Sequence, residues 1–135
     1  MRRKIFCVVA AALLISGSAE AHHSFAMFDN TKTISLKGQV KEFQWLNPHT
    51  WIQLQVPTNG KLVEWSIEGR SPNVLSRRGW SRDVIKPGDQ VTVVIYPLKD
   101  GSPGGAIVRL VLPNGKNINA DTPTAVDPDE EGPRR

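Results

Sequence analysis

The stretch Ala19-Glu20-Ala21-His22-His23-Ser24-Phe25 carries two of the three histidines in a chain of 135 residues. If the chain is trimmed after Ala21, the new α-amine and the ring nitrogen of His22 can close on one cation. A third nitrogen, from the adjacent His23 or from His49, 27 positions on, completes a histidine brace. Three nitrogens in a plane suit Cu(II), which prefers tetragonal N and O donors and heads the divalent affinity order, so copper is the candidate cofactor. The α-amine, with a reference pKa of about 8, gives up its proton readily when a metal competes for the lone pair. Reach is no obstacle, because each intervening residue can span about 3.3 Å. The simpler alternative is that His22 and His23 are solvated lead-in residues, with His49, after Asn47-Pro48, merely shaping a turn. Trimming after Ala19 instead would leave Glu20 and Ala21 ahead of the histidines and remove the chelate.

Trp45, Trp51, Trp65 and Trp80 are a second candidate feature. Aromatic residues on a barrel face commonly stack on ligands. Trp51 is out of phase with Ile52, Leu54 and Val56 and so belongs to the opposite strand face, beside His49. Trp45 and Trp80 are candidate ligand-stacking residues too, although Trp45, Trp65 and Trp80 also fit a core, since the periodic neighbours of Trp65 are apolar. Arg78, with Arg77 and Arg82 flanking Trp80, could hold an anionic ligand; such a cluster also suits a solvated helix end.

Signatures of catalysis are sparse. No serine sits in a nucleophile elbow, no glycine-rich phosphate loop is present, and the single cysteine, Cys7, precedes the expected trimming site. Glu64 and Glu68 share one strand face, where carboxylates four apart are usually its wet side. These absences favour a binding protein, with a redox or oxidative enzyme built on the same copper site as a weaker alternative.

The segment before the histidines sets the expected address. Arg2, Arg3 and Lys4, the apolar run Ile5 to Ile15 and the small residues at 19 and 21 have the order of a cleaved export signal spanning 1–21. The run is shorter than the roughly 20 residues of a membrane span, so no membrane anchor is expected. A periplasmic or secreted protein follows. Removing 21 residues from 135 leaves 114, enough for one compact domain. It also leaves 14 Lys and Arg of the original 17 against 12 Asp and Glu of 13. So small an excess of positive charge makes nucleic acid a poor partner. With no cysteine left, packing rather than disulfides must supply stability. Residues 119–135 are acidic, proline-rich and poor in apolar side chains, the composition of a disordered tail.

Between a lead-in at 22–32 and that tail, period-two alternation dominates residues 33–118. Ile34, Leu36 and Val40 occupy even positions, then Phe43 and Trp45 odd ones. This slip predicts a bulge near Lys41 and Glu42 in a long, curved first strand, with Gly38 permitting the bend. Trp51–Val56 alternates cleanly, Thr58-Asn59-Gly60 makes a hairpin turn, and Lys61–Glu68 alternates again. Ser71 caps a helix of roughly two turns starting at Pro72 and ending at Gly79. A turn at Pro87-Gly88 leads into a fourth strand at 91–96, and a Gly/Pro-rich hairpin into a fifth at 106–112. Five strands with a helix between the third and fourth match an all-β, OB-fold-like Greek-key barrel. A five-stranded sandwich is the alternative, but closure better removes exposed edges.

His22-His23-Ser24-Phe25, Phe43 to Trp51 (FQWLNPHTW), Ser71 to Leu75 with Gly79-Trp80, and Lys86-Pro87-Gly88-Asp89 together resemble a family of small exported bacterial proteins carried under a domain-of-unknown-function label. The resemblance covers roughly the whole mature domain. It implies a periplasmic or secreted location and a small β-barrel; it carries no activity and no catalytic residues. The expected partners are a metal ion and a periplasmic protein, with an interaction module for a peptide, glycan or partner protein as the metal-free alternative.

Overall fold

The computed structural model describes residues 25–120. The expected export signal, His22, His23 and residues 121–135 of the expected tail lie outside the described residues. Strand β1 (Ile34–Gln44) pairs antiparallel with β2 (Trp51–Thr58) on one side and β4 (Gln90–Pro97) on the other. Strand β3 (Lys61–Glu68) follows β2 as a hairpin, and β5 (Gly104–Val111) lies antiparallel to β4. A short parallel pairing of Ser66, Ile67 and Glu68 with Gly104, Gly105 and Ala106 closes the five strands into a barrel. With helix α1 (Pro72–Ser76) between β3 and β4, this is the OB-like topology that the strand order predicts.

The local chemistry explains each joint. Val40 faces Leu54 and Glu42 faces Gln53, so Lys41 is the extra residue that returns Phe43 to the interior after the slip in phase. The turn before β4 braces this bulge: Val40 donates its amide to the Asp89 carbonyl at 2.9 Å, and Gly88 donates to the Val40 carbonyl at 2.8 Å. Asn59 and Gly60 take positive φ values of 48° and 77° in the two-residue β2–β3 turn. Ser71 caps α1 by accepting the Val74 amide on its hydroxyl. The helix itself is five residues long. It is shorter than the two turns expected, because Arg78 and Gly79 already belong to the closing turn.

Leu54, Ile67, Leu75, Val93, Ile95 and Leu110 are fully buried and form the centre of the core. A second, smaller cluster lies outside the barrel wall, where Phe28, Tyr96 and Ala106 pack with Phe25 and Leu98. It explains why Tyr96 is buried although its neighbour Ile95 faces the barrel core: the lead-in covers Tyr96 on the outer face. The packed chain also runs past residue 118. Strand β6 (Asn117–Asn119), not foreseen in the sequence, pairs with β5, and Ala120 is fully buried while donating its amide to the Val108 carbonyl. Among the described residues no helix is long and apolar enough to cross a membrane.

Candidate functional site

One end of the β2–β3 hairpin builds a cleft. Thr50 is buried at 2% exposure; its amide and hydroxyl both donate to the Arg70 carbonyl, at 3.3 and 2.9 Å, and its own carbonyl accepts the Gly69 amide at 2.8 Å. This clasp ties the start of β2 to the residues after β3. It requires glycine at 69, because a Cβ there would overlap the Thr50 hydroxyl. His49 precedes the clasp and Glu68 lies directly across from Trp51 in the strand register.

The His49 ring is therefore brought to two acceptors at once. Its Nδ1 lies 3.1 Å from Glu68 Oε1 and 3.2 Å from the Gly69 carbonyl oxygen. A carboxylate and a carbonyl can only accept, so Nδ1 carries a proton. In the neutral ring the lone pair then belongs to Nε2, the nitrogen left to accept a hydrogen bond or ligate a metal. Carboxylate and carbonyl partners of this kind are the usual outer support of metal-ligating imidazoles. Among the described residues, no three His, Cys, Asp or Glu side chains group closely enough to hold a metal by themselves.

The cleft has a volume of about 360 Å³ and is lined by Met27, Leu46, Asn47, Pro48, His49, Trp51 and Glu68. The Asn47–Pro48 bond is cis. Most of the lining is apolar, with polar groups confined to Asn47, His49 and Glu68. The structure brings Trp51 and His49 together, as their shared strand face predicts. Trp45, Trp80 and Arg78 do not line this cleft. Trp45 is half-buried with its ring edge-on to Phe43 at 5.7 Å, and Phe43 in turn lies 6.2 Å from Trp80. Trp80 is 3% exposed and donates Nε1 to the Asn119 carbonyl at 2.7 Å, which leaves it no ring face for a ligand. Arg78 is exposed in the turn that closes α1.

A family model described as a family of unknown function (DUF6152) matches residues 10–107. The chain belongs to DUF6152. No curated protein and no solved structure matches it. The span matched by DUF6152 includes His22 and His23 as well as every residue lining the cleft.

Of the seven lining residues only His49 and Trp51 are candidates from sequence, and Glu68 and Met27 show why others are not. Glu68 has the same strand parity as Glu64, and Glu64 behaves as that parity suggests, pairing with Lys41 at 2.7 Å on an exposed surface. Glu68 differs because the clasp folds His49 over it, and its side chain is only 13% exposed. The available signal was Thr50 with Gly69-Arg70, a small buried hydroxyl facing a glycine, but period-two alternation contains no such pairing. Met27 is reached only through the docking of the lead-in on the barrel wall.

Proposed function

We propose that this protein is a small exported copper-binding protein, whose site joins the processed N-terminus at His22 to His49. The observation that carries the reading is the Nδ1 arrangement of His49, held by Glu68 and the Gly69 carbonyl. It leaves Nε2 of the neutral ring as the free donor and gives Nδ1 a carboxylate partner, which supports reading this imidazole as a metal ligand. The lead-in supplies a route for the other donors. Met27 lines the same cleft and lies five positions after His22, a span of at most about 17 Å of extended chain. The α-amine and imidazole of His22, with Nε2 of His49 or a ring nitrogen of His23, would form the nitrogen set that Cu(II) favours. Metal handling or delivery in the periplasm is the corresponding role.

The test begins with the intact mass of the exported protein, which fixes the first residue. Cu(II) is then titrated into the mature form, a form with one added N-terminal glycine, and His49→Ala. The mature form should bind one equivalent, and both changes should weaken binding by on the order of tenfold or more. A first residue other than His22, or three indistinguishable affinities, would overturn the proposal.

The apolar lining favours a second reading without metal. Leu46 is 54% exposed beside Trp51, an arrangement suited to an apolar segment of a partner peptide or protein. In that reading, Trp51→Ala abolishes partner binding, whereas His49→Ala and added glycine leave it intact.

A further inference from the structure

Met27 is an exposed residue of the lead-in that lines the His49 cleft. The residue is 43% exposed, unlike Phe25 and Phe28, which pack on the barrel wall. Its backbone has no such freedom. The Met27 carbonyl accepts the Lys99 amide at 3.0 Å, and Phe28 on one side pairs with Leu98. Phe25 on the other side is wedged edge-on against Phe28 at 5.6 Å and Tyr96 at 6.5 Å. The short helical turn Phe25–Met27 is thus clamped at both ends, and Met27 lines the same cleft as His49.

An unbranched thioether left in solvent contributes little packing, so burial does not explain its position. Ligand chemistry does. Thioether sulfur is a soft donor that selects Cu(I), while imidazole serves both oxidation states of copper and an amine favours Cu(II). We infer that Met27 is a Cu(I) ligand, so that the cleft holds reduced copper through its sulfur and the His49 imidazole, and oxidised copper through nitrogen donors alone. This rests on the proposed copper site and adds the oxidation state it accepts and the residue that decides it.

The experiment compares wild type with Met27→Leu, both as the processed protein. Leucine keeps the apolar volume at an exposed position, and a thermal melt checks that the barrel is unchanged. Cu(I), supplied with excess ascorbate, is measured by competition with bicinchoninate; Cu(II) is titrated in air without reductant. The substitution should weaken Cu(I) by on the order of tenfold while leaving Cu(II) within about twofold. X-ray absorption of the Cu(I) form should show a copper–sulfur shell in wild type that is lost in the variant. Unchanged Cu(I) affinity and no sulfur shell, with Cu(II) still bound, would overturn the role of Met27 and leave the copper site standing. Failure of wild type to bind copper in either state would overturn both.

Discussion

Glu68→Gln isolates the chemistry of the cleft with the least disturbance of shape. The carboxylate side chain is 13% exposed and lies 3.1 Å from Nδ1 of His49, whose own side chain is 38% exposed. A hydrogen bond to a charged acceptor contributes about 1.5–3 kcal/mol against roughly 1 kcal/mol for a neutral one. The largely buried carboxylate argues against the low end of the resulting difference of about 0.5–2 kcal/mol and the half-exposed imidazole against the high end, so the substitution should cost about 1–1.5 kcal/mol of ligand orientation and basicity. That is roughly tenfold in Kd for Cu(II), the lower edge of the 10–100-fold effects usual for residues that support metal-bound histidines. The Gly69 carbonyl still accepts from Nδ1, at 3.2 Å, so binding should weaken without vanishing. Isothermal titration of Cu(II) into wild type, Glu68→Gln and His49→Ala gives the comparison, with urea denaturation to show that stability is unchanged. An affinity within twofold of wild type for Glu68→Gln, alongside a large loss for His49→Ala, would refute the argument that the carboxylate fixes the ring.

Three further outcomes test the frame around the cleft. Gly38→Ala places a Cβ on the Gln55 backbone carbonyl, which cannot swing away, so urea denaturation should register a loss of about 1–3 kcal/mol. Trp80→Phe removes the 2.7 Å bond to the Asn119 carbonyl, whereas Trp65→Phe removes an Nε1 that is buried without a partner. The first should cost about 1–3 kcal/mol more than the second, and the β6 amides should lose hydrogen-exchange protection only in the first. The Asp89 carboxyl is held below its ordinary value of 3.8, chiefly by the Lys86 backbone amide and next by the Lys86 ammonium. Its stabilising contribution is present above that value and lost as pH falls through the lower folded one. The stability gap between wild type and Asp89→Asn should therefore persist at pH 7 and close on acidification below about pH 3.8.

The barrel could be read from sequence where a signal is local. The phase slip at Lys41, the Asn59-Gly60 turn and the Ser71 cap each depend on neighbours within a few residues, and each lies where the pattern puts it. β6 depends on partners far along the chain. Asn117-Ile118-Asn119 offers one apolar residue in a polar stretch, and its strand character comes from pairing with β5 and from the Trp80 indole bonded to Asn119. Tyr96, apolar on the face opposite the core residue Ile95, is a legible trace of the docked lead-in, because the outer face of a strand with one wet side would be polar. For the cleft, parity was enough to join Trp51 to His49. Glu68 and Met27 were beyond its reach, since one needs the Thr50 clasp and the other the clamp on the barrel wall.

Those two devices divide the work of the fold. The Thr50 clasp fixes a rigid half-site, in which backbone and carboxylate together settle the orientation of one imidazole. The lead-in clamp ends at Phe25, which gives the chain a fixed anchor on the barrel wall. A donor tethered a few residues from its anchor has a far higher effective concentration at the cleft than one on a free tail. If the proposed copper site forms, its ordering cost would fall on the few residues ahead of Phe25 and not on the barrel. Lengthening the tether between His22 and Phe25 by several glycines should therefore weaken copper progressively while leaving the barrel's melting temperature untouched.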